Sequence, residues 1–255
     1  MEETGAEAVA ALRSALDAAL EGRGGGPCAV ALSGGRDSST LLELLRARRA
    51  ASGAPPPRVL HVHHGLSAEA DRWAEAIAAR CATLGLPCEI VRVQVDPAGE
   101  GLEAAARRVR YDALAARLAP DEPLLLAQHA DDQLETVLQR LLRGAGPRGL
   151  AGMPARRRLG AGWLLRPWLA LPGRTIEAAA RTLGLSWFED PANGAAAVDR
   201  AFLRGQLLPQ LRARWPGAAA AILRSAAACA EAEATLAALL PEIPADGAPL
   251  PLAAL

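Results

Sequence analysis

The feature that most constrains this 255-residue chain is an alternation of two periodicities over its first 130 residues. CAVAL (28–32), RVLHVHH (58–64), CEIVRVQV (88–95) and PLLLAQ (123–128) are short apolar runs bounded by Gly or Pro, and they read as strands. Helical patterns lie between them at about 38–50, 67–85 and 101–119, and another follows at 131–143. Strands separated by helices imply βαβ units with right-handed crossovers, and so a doubly wound parallel sheet. Such sheets bind ligands outside the carboxyl ends of their strands, at the switch in strand order. Chemistry is therefore expected just after Leu32, His64, Val95 and Gln128.

Beyond the fourth strand the pattern changes. Residues 144–173, rich in Gly, Pro and Arg, read as a loop or short hairpin leaving the sheet. A helix is expected at 173–184, an extended segment at 185–189 and a turn at 190–194. From about 197 to 240 the chain is Ala-rich and helical with a break at Trp215-Pro216, and 241–255 has the composition of a linker. The expected organisation is an α/β catalytic domain over 1–195 and a helical extension with its tail over 196–255.

Composition narrows the function classes. With 51% hydrophobic and 22% charged residues a cored globular protein is expected. No run of ~20 uncharged apolar residues exists, so no membrane partner is expected. The start is acidic, then amphipathic, unlike a signal peptide, which points to the cytoplasm. The four Cys (28, 81, 88 and 229) form no CxxC and suit reduced, mostly buried thiols. Every basic residue is Arg, so lysine-based Schiff-base or general-base chemistry is excluded. The formal net charge is zero, yet residues 140–188 hold nine Arg and one acid, Glu177, a local excess of eight positive charges. That excess points to a polyanionic partner or to a solvated basic face.

Three segments carry candidate chemistry. Ser33-Gly34-Gly35-Arg36-Asp37-Ser38 follows the first strand and opens a helix. Two glycines allow a tight turn, two hydroxyls donate, and the helix start offers free N–H groups, which together make an anion site. Asp37 would repel a bare phosphate and suits a role with Mg²⁺. The same residues also read as an ordinary helix start capped by Asp37 or Ser38. In the second strand, alternation puts His61 and His63 on one face and His64 on the other, so the three do not converge as metal ligands. In the helix after strand four, Asp131 is a natural N-cap. Asp132 and Glu135 are three apart, and such a pair can hold an ammonium group. Acids in a first turn also simply favour the helix dipole. The spacing predicts an apolar stripe of Leu134, Val137, Leu138, Leu141 and Leu142, opposite a polar face of Asp132, Glu135, Thr136, Gln139 and Arg143.

SGGRDS resembles the PP-loop of the N-type ATP pyrophosphatases. The wider set SGGRDSS (33–39), HVHHGLS (61–67), GLEAAARRVRY (101–111), HADDQLET (129–136), LLRGAGPRGLAGM (141–153), RPWLAL (166–171) and WFEDPANG with DRAFLR (187–204) is similar, in order, to the tRNA(Ile)-lysidine synthase family of bacteria. The resemblance implies a Rossmann-like PP-loop fold with a five-stranded parallel sheet, followed by a small mostly helical region. It implies ATP and Mg²⁺ as cofactors, with free L-lysine and tRNA(Ile) bearing a CAU anticodon as partners. The reaction would adenylate the C2 oxygen of the wobble cytidine and then replace AMP by the lysine ε-amine. Carried over by position, Ser33, Gly34, Gly35, Arg36, Asp37, Ser38 and His61 would bind ATP, with Asp37 at the metal. Asp37, His129, Asp132 and Glu135 would be catalytic. Asp132 and Glu135 would receive the lysine ammonium, and Arg107 or Arg110 its carboxylate. Arg143, Arg148, Arg156, Arg157, Arg158, Arg200 and Arg204 would meet tRNA. A homodimer is common among such enzymes. The chain departs from the pattern at Gln128, where many relatives have His, at Ala201 for Asn and at Ser67 for Arg. Many relatives also continue into C-terminal domains that grip the acceptor end. A PP-loop tRNA thiolase and a non-catalytic nucleotide- or RNA-binding relative are the competing readings.

Overall fold

The computed structural model describes residues 4–22, 25–97, 99, 101–189 and 199–239. The turn expected at 190–194 and the tail 241–255 lie outside them. Two compact units emerge: Met1–Asp131 with Ala155–Asn193, and Asp132–Pro154 with Gly194–Leu255.

The first unit holds the sheet, in the order β3-β2-β1-β4-β6-β5. Its strands are β1 (Ala29–Ala31), β2 (Arg58–His63), β3 (Cys88–Arg92), β4 (Pro123–Leu125), β5 (Arg156–Leu159) and β6 (Gly162–Leu165). The first four and β6 pair in parallel, which gives the five parallel strands expected. The sixth strand, β5, is antiparallel to β6. The Arg- and Gly-rich stretch therefore builds a hairpin inside the sheet, with β6 alongside β4. Its triple-Arg run hides the strand period, because the apolar contribution comes almost wholly from β6.

Helices α1 (Gly5–Ala19), α2 (Arg36–Ser52), α3 (Ala70–Thr83), α4 (Leu102–Ala115) and α7 (Gly173–Thr182) also belong to this unit. Central strands that are covered on both faces read as unbroken apolar runs. One core layer joins Val30, Val59, Leu125 and Leu165 to Leu41, Leu45, Ile77, Trp168 and Ile176; the other joins Leu60, Leu124 and Leu164 to Tyr111 and Leu114. Trp168 is fully buried, and its indole N–H donates to the Leu12 carbonyl of α1 at 3.1 Å. Arg49 is also buried. It caps two loops through the carbonyls of Pro55 and Gly26. At the amino ends of the strands the Glu122 carboxylate accepts both branches of Arg58, at 3.0 and 2.9 Å.

Helix α5 (Ala130–Leu142) starts in the first unit and runs on in the second. The second unit also holds α6 (Pro147–Leu150), α8 (Asp199–Phe202), a π-helical turn at Leu203–Leu207, α9 (Leu208–Arg214) and α10 (Ala218–Leu239). The break falls at Trp215-Pro216, as the sequence predicts. Leu134 and Leu138 pack with Leu203 and Leu208. The expected stripe is only partly right: Leu141 and Leu142 are exposed, while Glu135 and Thr136 are buried. Among the described residues no helix is long and apolar enough to cross a membrane.

Trp168→Ala removes a filled core position and a buried hydrogen bond. It should lower unfolding stability by about 3–5 kcal/mol, read as a shifted urea midpoint. A loss under about 1 kcal/mol would show that Trp168 does not join α1 to the sheet.

Candidate active site

Strand order reverses between β1 and β4, so the loops after these two strands flank the crevice where such sheets bind ligands. The loop after β1 holds its own shape. The Ser33 N–H donates to Ser38 Oγ at 3.2 Å, the two hydroxyls lie 3.0 Å apart, and the Ser38 hydroxyl donates to the Gly35 carbonyl at 3.1 Å. Gly34 has φ +86°, and a Cβ there would sit 2.6 Å from the Phe188 ring. Phe188 also donates its N–H to the Gly34 carbonyl at 2.9 Å. This position therefore needs glycine for both its backbone angle and its packing. The 17-residue helix α2 starts at Arg36 without a side-chain cap, which leaves its first-turn amides for an anion.

Asp37 stands in that first turn, gripped from two sides. Arg36 Nε donates to its Oδ1 at 2.8 Å, and His129 Nε2, from the loop after β4, lies 3.5 Å from its Oδ2. Burial works against the charge on Asp37, but the His129 contact and the Arg36 guanidinium outweigh it and hold the carboxyl below its usual range. Among the described residues no group of three or more His, Cys, Asp or Glu side chains converges on a metal position. A lone carboxylate beside a phosphate loop fits the way Mg²⁺ is shared between protein and phosphate oxygens.

His61 is buried, and its Nδ1–H donates to the Leu32 carbonyl at 2.8 Å, fastening the end of β1 to β2. Burial lowers its pKa, which favours the neutral ring. His63 lies instead against Asp71 and Arg92, at 3.1 and 3.3 Å.

The arginines fall into distinct groups. Arg157 and its neighbours alternate across β5. Arg156 and Arg158 stack on Trp163, at 3.7 and 4.0 Å from the ring centre, whereas Arg157 lies over Tyr111 with Arg107 and Arg110. Buried Arg166 donates to the Tyr111 hydroxyl at 3.3 Å and to the Gln128 side chain. Gln128 thus accepts from a guanidinium. Burial works against a Tyr111 phenolate, but Arg107, Arg166 and Arg110 outweigh it and lower the phenol's pKa. Arg107, Arg110 and Arg157, half-buried, and Arg166, buried, thus gather positive charge around Tyr111, a grouping that sequence spacing does not predict for Arg157 or Arg166.

In the second unit, Asp132 and Glu135 are not equivalent. Glu135 is fully buried and forms a fork with Arg204, Nε to Oε1 at 2.7 Å and Nη2 to Oε2 at 3.1 Å. Asp132 keeps 19% of its side-chain surface exposed and lies 3.7 Å from the same guanidinium. Arg200 lies against Gln139 and Thr136 at 3.5 and 3.4 Å. Arg143 and Arg148 are exposed. Gln133, unmarked in the sequence, pins the glycine-rich segment by exchanging hydrogen bonds with the Met153 backbone at 2.9 and 2.7 Å.

The profile of the PP-loop domain family matches residues 9–211. The chain is 52% identical over 219 residues to the tRNA(Ile)-lysidine synthase of Alkalilimnicola ehrlichii, covering 86% of this chain and 49% of that protein. The tRNA(Ile)-lysidine synthase of Serratia proteamaculans is 51% identical over 213 residues, covering 84% and 49%. The chain thus spans about half the length of the curated relatives it matches. Among solved structures, the U34-tRNA thiolase NcsA of Methanococcus maripaludis with its [4Fe-4S] cluster superposes with a TM-score of 0.66 at 18% identity, covering 87% of this chain and 78% of that one. At that identity the likeness concerns the fold.

Because the folded state depresses the Asp37 pKa, this group adds stability above its ordinary value of 3.8 and loses that contribution as the pH falls through the lowered value. The stability advantage of the wild type over Asp37→Asn should be constant above about pH 5 and shrink in stronger acid. Thermal melts of both proteins across pH test this. A difference that grows on acidification would contradict the assigned environment.

Proposed function

Since the chain belongs to the PP-loop domain family, we propose that it splits ATP to AMP and diphosphate in order to join free L-lysine to C2 of the wobble cytidine of tRNA(Ile). The observation that carries this reading is the 52% identity to a lysidine synthase over 219 residues, 86% of this chain. The geometry of the loop supports it. Residues 33–38 receive the phosphates on amides and hydroxyls, and Asp37 is held ionised beside them. Asp37 would hold Mg²⁺, which supplies charge neutralisation on the departing diphosphate.

The cytidine O2 attacks the α-phosphorus, the bond to the β-phosphate oxygen breaks, and diphosphate leaves. The lysine ammonium passes a proton to the Asp132 carboxylate, the freed ε-amine attacks C2, and the C2–O bond breaks to release AMP. Asp132 is the acid that offers an accessible carboxylate to the ammonium. Glu135, sealed against Arg204, acts by holding that guanidinium. Arg107 or Arg110 takes the lysine carboxylate as a charge-assisted pair. His129 steadies Asp37. His61 supports the nucleotide pocket by fixing the end of β1. Arg143, Arg148, Arg156, Arg157, Arg158, Arg200 and Arg204 supply tRNA contacts, with Arg156 and Arg158 the exposed pair of the hairpin.

A sulfur-transferring reading has less support. Cys28 and Cys81 are buried, and burial together with Cys88 pushes the Cys81 thiol up to about 12.

Purified protein supplied with ATP, lysine and a tRNA(Ile) transcript bearing CAU should form AMP and diphosphate in step with lysine incorporation. Asp132→Ala should raise the KM for lysine about tenfold or more while ATP affinity stays within about threefold, the loss expected for one charged contact. Collapse of ATP affinity would refute the assignment of Asp132. Replacing Arg156 and Arg158 together should flatten the salt dependence of tRNA binding by about one to two units of slope, measured by filter binding across salt. An unchanged slope would remove the hairpin from the RNA interface.

A further inference from the structure

Asp131 reads in the sequence as no more than an N-cap, yet it sits in a chain of contacts that ends on Asp37. Its Oδ2 accepts the Gly173 N–H at 2.8 Å and lies 3.5 Å from His129 Nδ1, while its own backbone N–H makes the shorter contact, donating to Nδ1 at 3.2 Å. A Cβ on Gly173 would come within 2.9 Å of both Asp131 Oδ2 and His129 Cε1, so the start of α7 approaches this pair as closely as glycine alone permits. Across the ring, His129 Nε2 faces Asp37 Oδ2 at 3.5 Å. Four residues after Gly173, on the same face of α7, Glu177 binds Arg36 at 3.3 Å, and Arg36 Nε holds the other oxygen of Asp37 at 2.8 Å. All these residues belong to the first unit.

We propose that the amino-terminal end of α7 orients the Asp37 carboxylate through two arms, Gly173–Asp131–His129 to one oxygen and Glu177–Arg36 to the other. Gly173, Asp131 and Glu177 are positioning residues. The Asp131 side chain anchors the peptide whose N–H occupies the Nδ1 lone pair of His129. A neutral His129 then carries its proton on Nε2, aimed at Asp37. Without the anchor that amide is free to shift, the ring can adopt its other tautomer, and Asp37 loses a donor. Partners of this kind, one contact removed from a reacting group, are worth about 10–100-fold in activity when lost.

The test uses the full chain. Long-range ¹H–¹⁵N spectra distinguish the tautomers of the four histidines, with the His129 signals identified by their loss in His129→Gln. The wild type should show His129 protonated at Nε2. Asp131→Ala should shift it towards a mixture of tautomers. Asp131→Asn keeps an acceptor for the Gly173 N–H and should retain the wild-type pattern. Diphosphate release should fall about 10–100-fold in kcat for Asp131→Ala, with the KM for ATP nearly unchanged, and recover to within a few-fold in Asp131→Asn. Glu177→Gln should lower kcat without disturbing the tautomer, because it acts through the Arg36 arm.

The kinetic arm rests on the ATP-splitting reading above; the spectroscopic arm does not. A wild type that fails to turn over counts against that reading, and the tautomer shift then decides the positioning role alone. The proposal is overturned if Asp131→Ala keeps the wild-type tautomer, or if Asp131→Asn is damaged as severely as Asp131→Ala. Should Asp131→Ala fail to fold, Asp131→Asn with loss of the Nε2 proton signal would overturn it equally.

Discussion

A negative charge at the mouth of a loop built to attract negative charge is the constraint around which this structure is arranged. Asp37 sits in the first turn of α2, where open amides favour an anion, and it must stay ionised there without collapsing onto those amides. Arg36 and His129 supply the opposing partners. Their placement requires several remote elements at once: β4 beside β1 to bring up His129, the Gly34 bend seated under Phe188, and α7 close enough for Glu177 to reach Arg36. The parallel sheet and its covering helix layer serve this one carboxylate.

The basic surface follows a different logic. One of the sheet's two edges is β5, a strand with three consecutive arginines, and charge on an edge strand discourages edge-to-edge pairing. Strand alternation then sorts the charges. Arg156 and Arg158 lie over Trp163, while Arg157 turns to the opposite face and joins Arg107, Arg110 and Arg166 around Tyr111. Cation–π contact lets like charges crowd at lower cost than in a purely aliphatic setting. One run of sequence thereby furnishes two chemically distinct cationic surfaces.

Much of the architecture was legible because buried parallel strands have few ways to be written. CAVAL, RVLHVHH and PLLLAQ announce themselves, and the glycine bend after the first marks the ligand end of the sheet. The hairpin's full role was less legible, since Arg156, Arg157 and Arg158 carry no apolar alternation and β6 alone looks like a short hydrophobic remnant. Helical spacing sent Glu135 and Thr136 to the solvent face and Leu141 and Leu142 to the interior, whereas the structure does the reverse. Local periodicity has no knowledge of Arg204, which arrives from 69 residues away to neutralise Glu135. The roles of Asp131 and Arg166 were hidden for the same reason: their partners, Gly173 for one and Tyr111 with Gln128 for the other, are distant in sequence. Composition could count the arginines but not assign their faces.

The most direct test of this account is a crystal structure of the protein with Mg²⁺ and an ATP analogue whose α,β-bridging oxygen is replaced by methylene. The phosphates should rest on the amides and hydroxyls of residues 33–38, with the Asp37 carboxylate turned to the metal and His129 still at its side. Phosphates seated elsewhere, or an Asp37 side chain turned away from them, would contradict it.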